Sequence, residues 1–174
     1  MFRHKRFSGR FTRLACFLLS FVFLYGIGQA KGGESHFKYN GFVNGEAVKA
    51  TANFYFMKRI NIWNLSMGKF HKNTRERFQV NIFFSRNFQP KVGTFPIAFS
   101  YLNKKDTCGG SFSFRTKDGK RGLFSHDTKG EITFETFAEK VKGTFHMEVG
   151  NSKGQKVKVS GSFELLLGDA FKKK

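Results

Sequence analysis

The chain has 174 residues, with 31 basic against 12 acidic side chains for a formal charge of +19, and only two cysteines. One of these, Cys16, belongs to an N-terminal leader, so the part that remains after leader removal cannot form an intramolecular disulfide. The remaining length suits a single domain with its own core, and no linker or shift in composition points to a second one.

The leader comes first. Arg3, Lys5, Arg6, Arg10 and Arg13 form a positively charged start without an acidic residue, residues 14–27 are uncharged and apolar, and Gly28-Gln29-Ala30 is a small-x-small ending. That order is the pattern of a secretory signal peptide, with cleavage expected after Ala30. The apolar run is shorter than the ~20 residues a spanning helix needs and is broken by Gly26, so no stable membrane span is expected after cleavage. Cys16 lies near the start of the apolar run, not behind it, which disfavours a lipoprotein. The chain is therefore read as residues 1–30, signal peptide, and residues 31–174, one exported domain, periplasmic or secreted and bacterial in character. That domain keeps 26 basic and 12 acidic residues, a formal charge of +14.

Beyond residue 31 no helical periodicity is sustained. Short apolar–polar alternations bounded by turn residues recur instead, as in half-buried antiparallel strands. Phe37 to Val43 leads to Asn44-Gly45, a type I′ hairpin signal, and residues 47–56 return with Ala50, Ala52, Phe54 and Phe56 on one face. Ile60, Ile62 and Asn64 alternate next, then Phe78, Val80, Ile82 and Phe84. Residues 94–102, 111–115, 131–137, 141–149 and 156–167 make five more strands, with turns at Asp118-Gly119 and residues 151–154. Pro96 places its strand at an edge or bulge, and Gly161 marks a bulge or close approach. The expected fold is all-β, an antiparallel β-sandwich or closed β-barrel of about eight to ten strands.

Two segments echo each other. Gly93-Thr94-Phe95 and Gly143-Thr144-Phe145 are followed at similar spacing by Gly110-Ser111-Phe112 and Gly161-Ser162-Phe163, which predicts two hairpins of one design. The C-terminal half, with Gly130-Glu131-Ile132-Thr133-Phe134, Val141-Lys142-Gly143-Thr144-Phe145 and residues 157–163, resembles small exported bacterial β-proteins of unknown function. Phe42-Val43-Asn44-Gly45 resembles their N-terminal segment. The resemblance implies an antiparallel β-sandwich and supplies no catalytic residue. Many of those proteins are lipoproteins, a feature this chain lacks.

Chemistry is sparsely written. His36, His71, His126 and His146 stand in no metal-binding spacing, and no cofactor is expected. Ser125-His126-Asp127 is not a catalytic triad, because neighbours on a strand point to opposite faces; it reads as a polar turn. Glu131, Glu135, Glu139, Glu148 and Glu164 are scattered among lysines, as on solvated strand faces. Asn64-Leu65-Ser66 is a glycosylation sequon only in a cell that glycosylates. Cys108 reads as a packed thiol beside two glycines.

The cations stand out. Lys58, Arg59, Lys72, Arg75, Lys104, Lys105, Arg115, Lys117, Lys120 and Arg121 gather in turns, where a field of this sign attracts polyanions. The expected partners of an exported protein are anionic lipid, lipopolysaccharide or another polyanion. Phe70, Phe78, Phe114 and Phe124 flank the clusters at positions suited to stacking. The leading expectation is a non-catalytic binding or structural protein. The alternatives are a β-barrel carrier of a small apolar ligand and a secreted enzyme without a recognisable motif.

Overall fold

The computed structural model describes residues 31–167. The expected signal peptide, with Cys16, and the lysines at 172–174 lie outside the described residues. Ten strands follow one another: β1 Lys31–Gly41, β2 Gly45–Met57, β3 Ile62–Phe70, β4 Arg77–Phe84, β5 Gly93–Ala98, β6 Cys108–Arg115, β7 Arg121–Phe124, β8 His126–Phe137, β9 Lys140–Gly150 and β10 Lys156–Leu166. Nine of them form a closed barrel in the order β1, β2, β3, β4, β6, β5, β8, β9, β10, and β7 is an extra strand on β6. Of the two architectures the alternation allows, the barrel is the one formed.

Closure is made by an antiparallel ladder between β4 and β6 that runs from Arg77↔Arg115 to Phe84↔Cys108. Neighbours elsewhere are antiparallel too, except that β5 meets β6 in one parallel pair, Ile97↔Cys108. Pro96 fits this place: its other side is paired to Glu131 of β8, and proline's missing N–H faces a seam that needs few ladder bonds.

Alternation sorts side chains by face. Ala50, Ala52, Phe54, Leu65, Met67, Val80, Ile82, Phe112, Ile132, Phe134, Val157, Val159 and Leu165 are buried inside. Phe134 is a hub, with ring centroids 5.3 to 6.4 Å from those of Phe54, Phe84, Phe88, Phe95, Phe137 and Phe163. Apolar side chains inward and charged ones outward is the reverse of a lipid-embedded barrel. Among the described residues no helix is long and apolar enough to cross a membrane.

So many rings fit because glycines stand opposite them. Gly161 faces Phe37 on β1 and Phe145 on β9, and Gly143 faces Phe163 and Phe134. A Cβ on Gly161 would lie 2.2 Å from the His36 carbonyl oxygen and 2.7 Å from the Phe37 Cβ. The close approach expected of Gly161 is thus an alternation of small and large residues around a tapering interior.

Several local expectations change. The first hairpin stands at Asn44-Gly45, but neither residue has positive φ; Gly41 does, at 122°, and its N–H donates to Asn44 Oδ1 at 2.9 Å. Gly45 is needed for a different reason, because the Tyr39 ring occupies the space of its missing side chain. The sequence echo does not give two like hairpins: β9 and β10 pair along eleven residues, whereas β5 and β6 touch at one parallel pair. His126 opens β8 instead of preceding it, with Asp127 at positive φ inside a register shift. The strand expected over residues 94–102 ends at Ala98, and β7 is a four-residue strand too short for its alternation to be read.

Replacing Gly161 by Ala forces the β1 and β10 backbones apart. Chemical denaturation of this variant is expected to show a loss of at least about 2 kcal/mol.

Candidate polyanion interface

Strand direction sorts the cationic turns. In the antiparallel run β2–β3–β4, the β2–β3 turn and the β3–β4 loop lie at opposite barrel ends. Lys58 and Arg59 therefore stand at one end, and Lys72 and Arg75 at the other. The β6–β7 hairpin, with Arg115, Lys117, Lys120 and Arg121, joins the second end through the Arg77↔Arg115 register. Lys104 and Lys105 lie in the β5–β6 connection. This is held to the far end of β4, where Ser85 N–H donates to the Thr107 carbonyl at 3.0 Å and Arg86 N–H to that of Leu102 at 3.3 Å. Six of the ten cations singled out from the sequence thus share an end, and four do not.

The rim at that end is built from strand termini. Phe70 closes β3, Arg77 opens β4, Arg115 closes β6 and Arg121 opens β7. They are cross-strand partners in turn, Phe70↔Arg77, Arg77↔Arg115 and Arg115↔Arg121, and all four are exposed. At the usual strand spacing of about 4.8 Å, three arginines span roughly 10 Å of rim. Arg75 follows in the adjoining loop with φ 55°.

Like charges directly opposite one another on a sheet repel, and the nearby carboxylates Glu76 and Asp118 make no ion pair with these arginines. The Arg77 guanidinium donates to Gln79 Oε1, a neutral acceptor. Asp118, in the hairpin, accepts from Thr116 and is 3.6 Å from Lys120; these contacts hold its carboxyl below the ordinary value. The Glu76 charge, together with the larger effect of burial, raises the pKa of the Tyr39 hydroxyl. Among the described residues no ion pair joins Arg75, Arg77, Arg115 or Arg121 to a carboxylate.

On one part of the barrel wall lysines and carboxylates are matched. On the outer face of β1 and β8–β10, Glu164 lies between Lys140 and Lys142, Glu148 between Lys129 and Lys156, and Glu34 pairs with Lys49. The lysines hold the Glu164 and Glu148 carboxyls below the ordinary glutamate value. The cationic turns lie at the two barrel ends, and at one of them Arg77, Arg115 and Arg121 stand in one register row.

Sequence reading missed Arg77 as an individual site residue, although it stands two positions after Arg75. Its importance comes from Arg115, 38 positions later, which no local pattern reveals. The flanking aromatics also need correction: Phe78, Phe114 and Phe124 are buried inside the barrel, where Phe112, Phe114 and Phe124 stack, and only Phe70 is free to meet a ligand.

The other chemistry-bearing residues stay apart. His146 Nδ1 is 3.9 Å from Glu131, and His146 lines a shallow groove of about 520 Å³ with Lys38, Glu148, Lys158 and Ser160. Both side chains of the pair are at least half exposed, so water screens them. His126 stacks on Phe99, its centroid 6.0 Å away. Among the described residues no His/Cys/Asp/Glu group has the geometry of a metal site. Cys108 is fully buried at the β4–β6 seam, and burial, followed by the Asp106 charge, raises the pKa of its thiol. The chain matches no known protein family, and no curated protein or solved structure is similar to it.

Because a buried protonated thiol is a poor nucleophile, Cys108 is expected to resist a thiol-specific reagent in the native protein and to react fully in denaturant. Rapid native labelling would show that the seam opens.

Proposed function

We propose that this chain is an exported, non-catalytic binding protein that holds an anionic polymer or surface against its arginine rim. The observation that carries this reading is the in-register row Arg77, Arg115, Arg121, exposed and without a carboxylate. Arginine presents a planar fork of donors that matches phosphate, sulfate or carboxylate oxygens two at a time, and it keeps its charge at any physiological pH. Three such forks held by the ends of paired strands need little ordering when a ligand arrives. The Phe-filled interior supports a ligand on the outside of the barrel in preference to one within it. The signal-peptide pattern of residues 1–30 supports export.

The test compares two variants that lose the same charge from opposite ends, R77Q/R115Q/R121Q and K58Q/R59Q/K105Q, with heparin as the probe. The rim variant is expected to lose about tenfold or more in affinity and to flatten the dependence on salt, while the control changes by no more than about threefold. Equal losses would reduce the rim to a share of general net charge, and absence of binding by the unaltered protein at low salt would overturn the reading.

A further inference from the structure

Exposed apolar side chains stand at the same end as the rim arginines. Phe70, 66% exposed, is the register partner of Arg77. Leu123, 65% exposed, lies two residues beyond Arg121 on the same outward face of β7. Phe42, 52% exposed, sits in the β1–β2 loop at this same end, with one side of its ring 6.0 Å from Phe124. Large exposed apolar side chains are ordinary alone, and Ile60, Val92, Phe99 and Leu102 are others, but Phe70 and Leu123 share the outward face that carries Arg77, Arg115 and Arg121.

The mixture distinguishes among polyanions. A sulfated polysaccharide would use the arginines alone, and a nucleic acid would add stacking on Phe70 but leave Leu123 in water. A bilayer with anionic headgroups uses all of them. Arginine forks take the lipid phosphates, their methylene stems lie along the apolar boundary, and Phe and Leu enter the first layer of acyl chain. The position at strand termini lets the barrel meet the surface end-on, while the Lys/Glu-paired outer walls remain in water.

Resting on the polyanion reading, we infer that the rim is a peripheral membrane-docking edge for phosphate-bearing anionic lipid. Arg77, Arg115 and Arg121 bind headgroups there, and Phe70 and Leu123 insert beside them.

Sedimentation with vesicles of phosphatidylcholine, alone or with 30% phosphatidylglycerol, tests this, with heparin affinity measured in parallel. The protein is expected to bind the anionic vesicles at least about tenfold more tightly than the neutral ones. F70S/L123S should lose about tenfold or more on anionic vesicles and keep heparin affinity within about twofold; R77Q/R115Q/R121Q should lose both. With Trp placed at the rim by F70W, brominated acyl chains should quench fluorescence beyond the level set by Trp63 in the unaltered protein. Heparin binding without vesicle binding would overturn the membrane proposal and leave the polyanion reading standing. Binding to neither would overturn both. Full vesicle binding by F70S/L123S, or no added quenching in F70W, would overturn insertion.

Discussion

The pairing of β4 with β6 is the constraint on which both the barrel and its candidate site depend. These strands are separated by the β4–β5 connection, β5 and a long crossing loop, yet they form an unbroken eight-residue ladder. The ladder gives β4, otherwise an edge strand, a second partner and closes the nine-stranded wall, which removes one template for edge-to-edge association. The same register sets Arg77 beside Arg115 and, through the β6–β7 hairpin, beside Arg121. Slipping it by one residue would turn outward either Val80 and Ile82 of β4 or Phe112 and Phe114 of β6, so the hydrophobic interior fixes the alignment that crowds the arginines together.

That crowding makes sense against the rest of the surface. Where β1 and β8–β10 carry lysines, carboxylates stand among them, and the expected result is a screened wall of little net field. The rim lacks this compensation, although the chain has the acidic residues to supply it. Repulsion between the three guanidiniums opposes closure by a few tenths of a kcal/mol per pair, which ring packing around Phe134 and the Gly161 and Gly143 close approaches readily offset. Under the proposed function that repulsion leaves room for a counter-charged ligand, and the apolar Phe70 and Leu123 suit the lipid source of charge inferred above.

Much of the barrel could be read from the sequence because its signals are local. Period-two runs such as Phe78 to Phe84 and Val157 to Leu165 announced strands and their inward faces, and Asp118-Gly119 announced a turn, though not the short strand β7 that follows it. What escaped was the product of distance. Nothing near Gly93 or Gly110 shows that β5 and β6 run parallel and barely touch, so a repeated Gly–Ser/Thr–Phe spelling predicted a hairpin that is absent. The Asn44-Gly45 signal was right about the reversal and wrong about its geometry, since the Tyr39 ring decides what residue 45 must be. Cationic clusters were legible as clusters, but only strand direction divides Lys58 and Arg59 from Arg75 and Arg115. Phe114 and Phe124 were adjacent to charge in sequence and inside the barrel in space.

The account holds that Arg115, flanked by arginine on both sides, is kept for its ligand at a small cost to the fold. Unfolding free energies of Arg115→Gln and the unaltered protein, with and without saturating heparin, test this directly. The account predicts that the variant is more stable than the parent by about 0.5 kcal/mol alone and gains less from heparin. A variant that is less stable alone, or that gains as much from heparin, would contradict it by making Arg115 a structural residue.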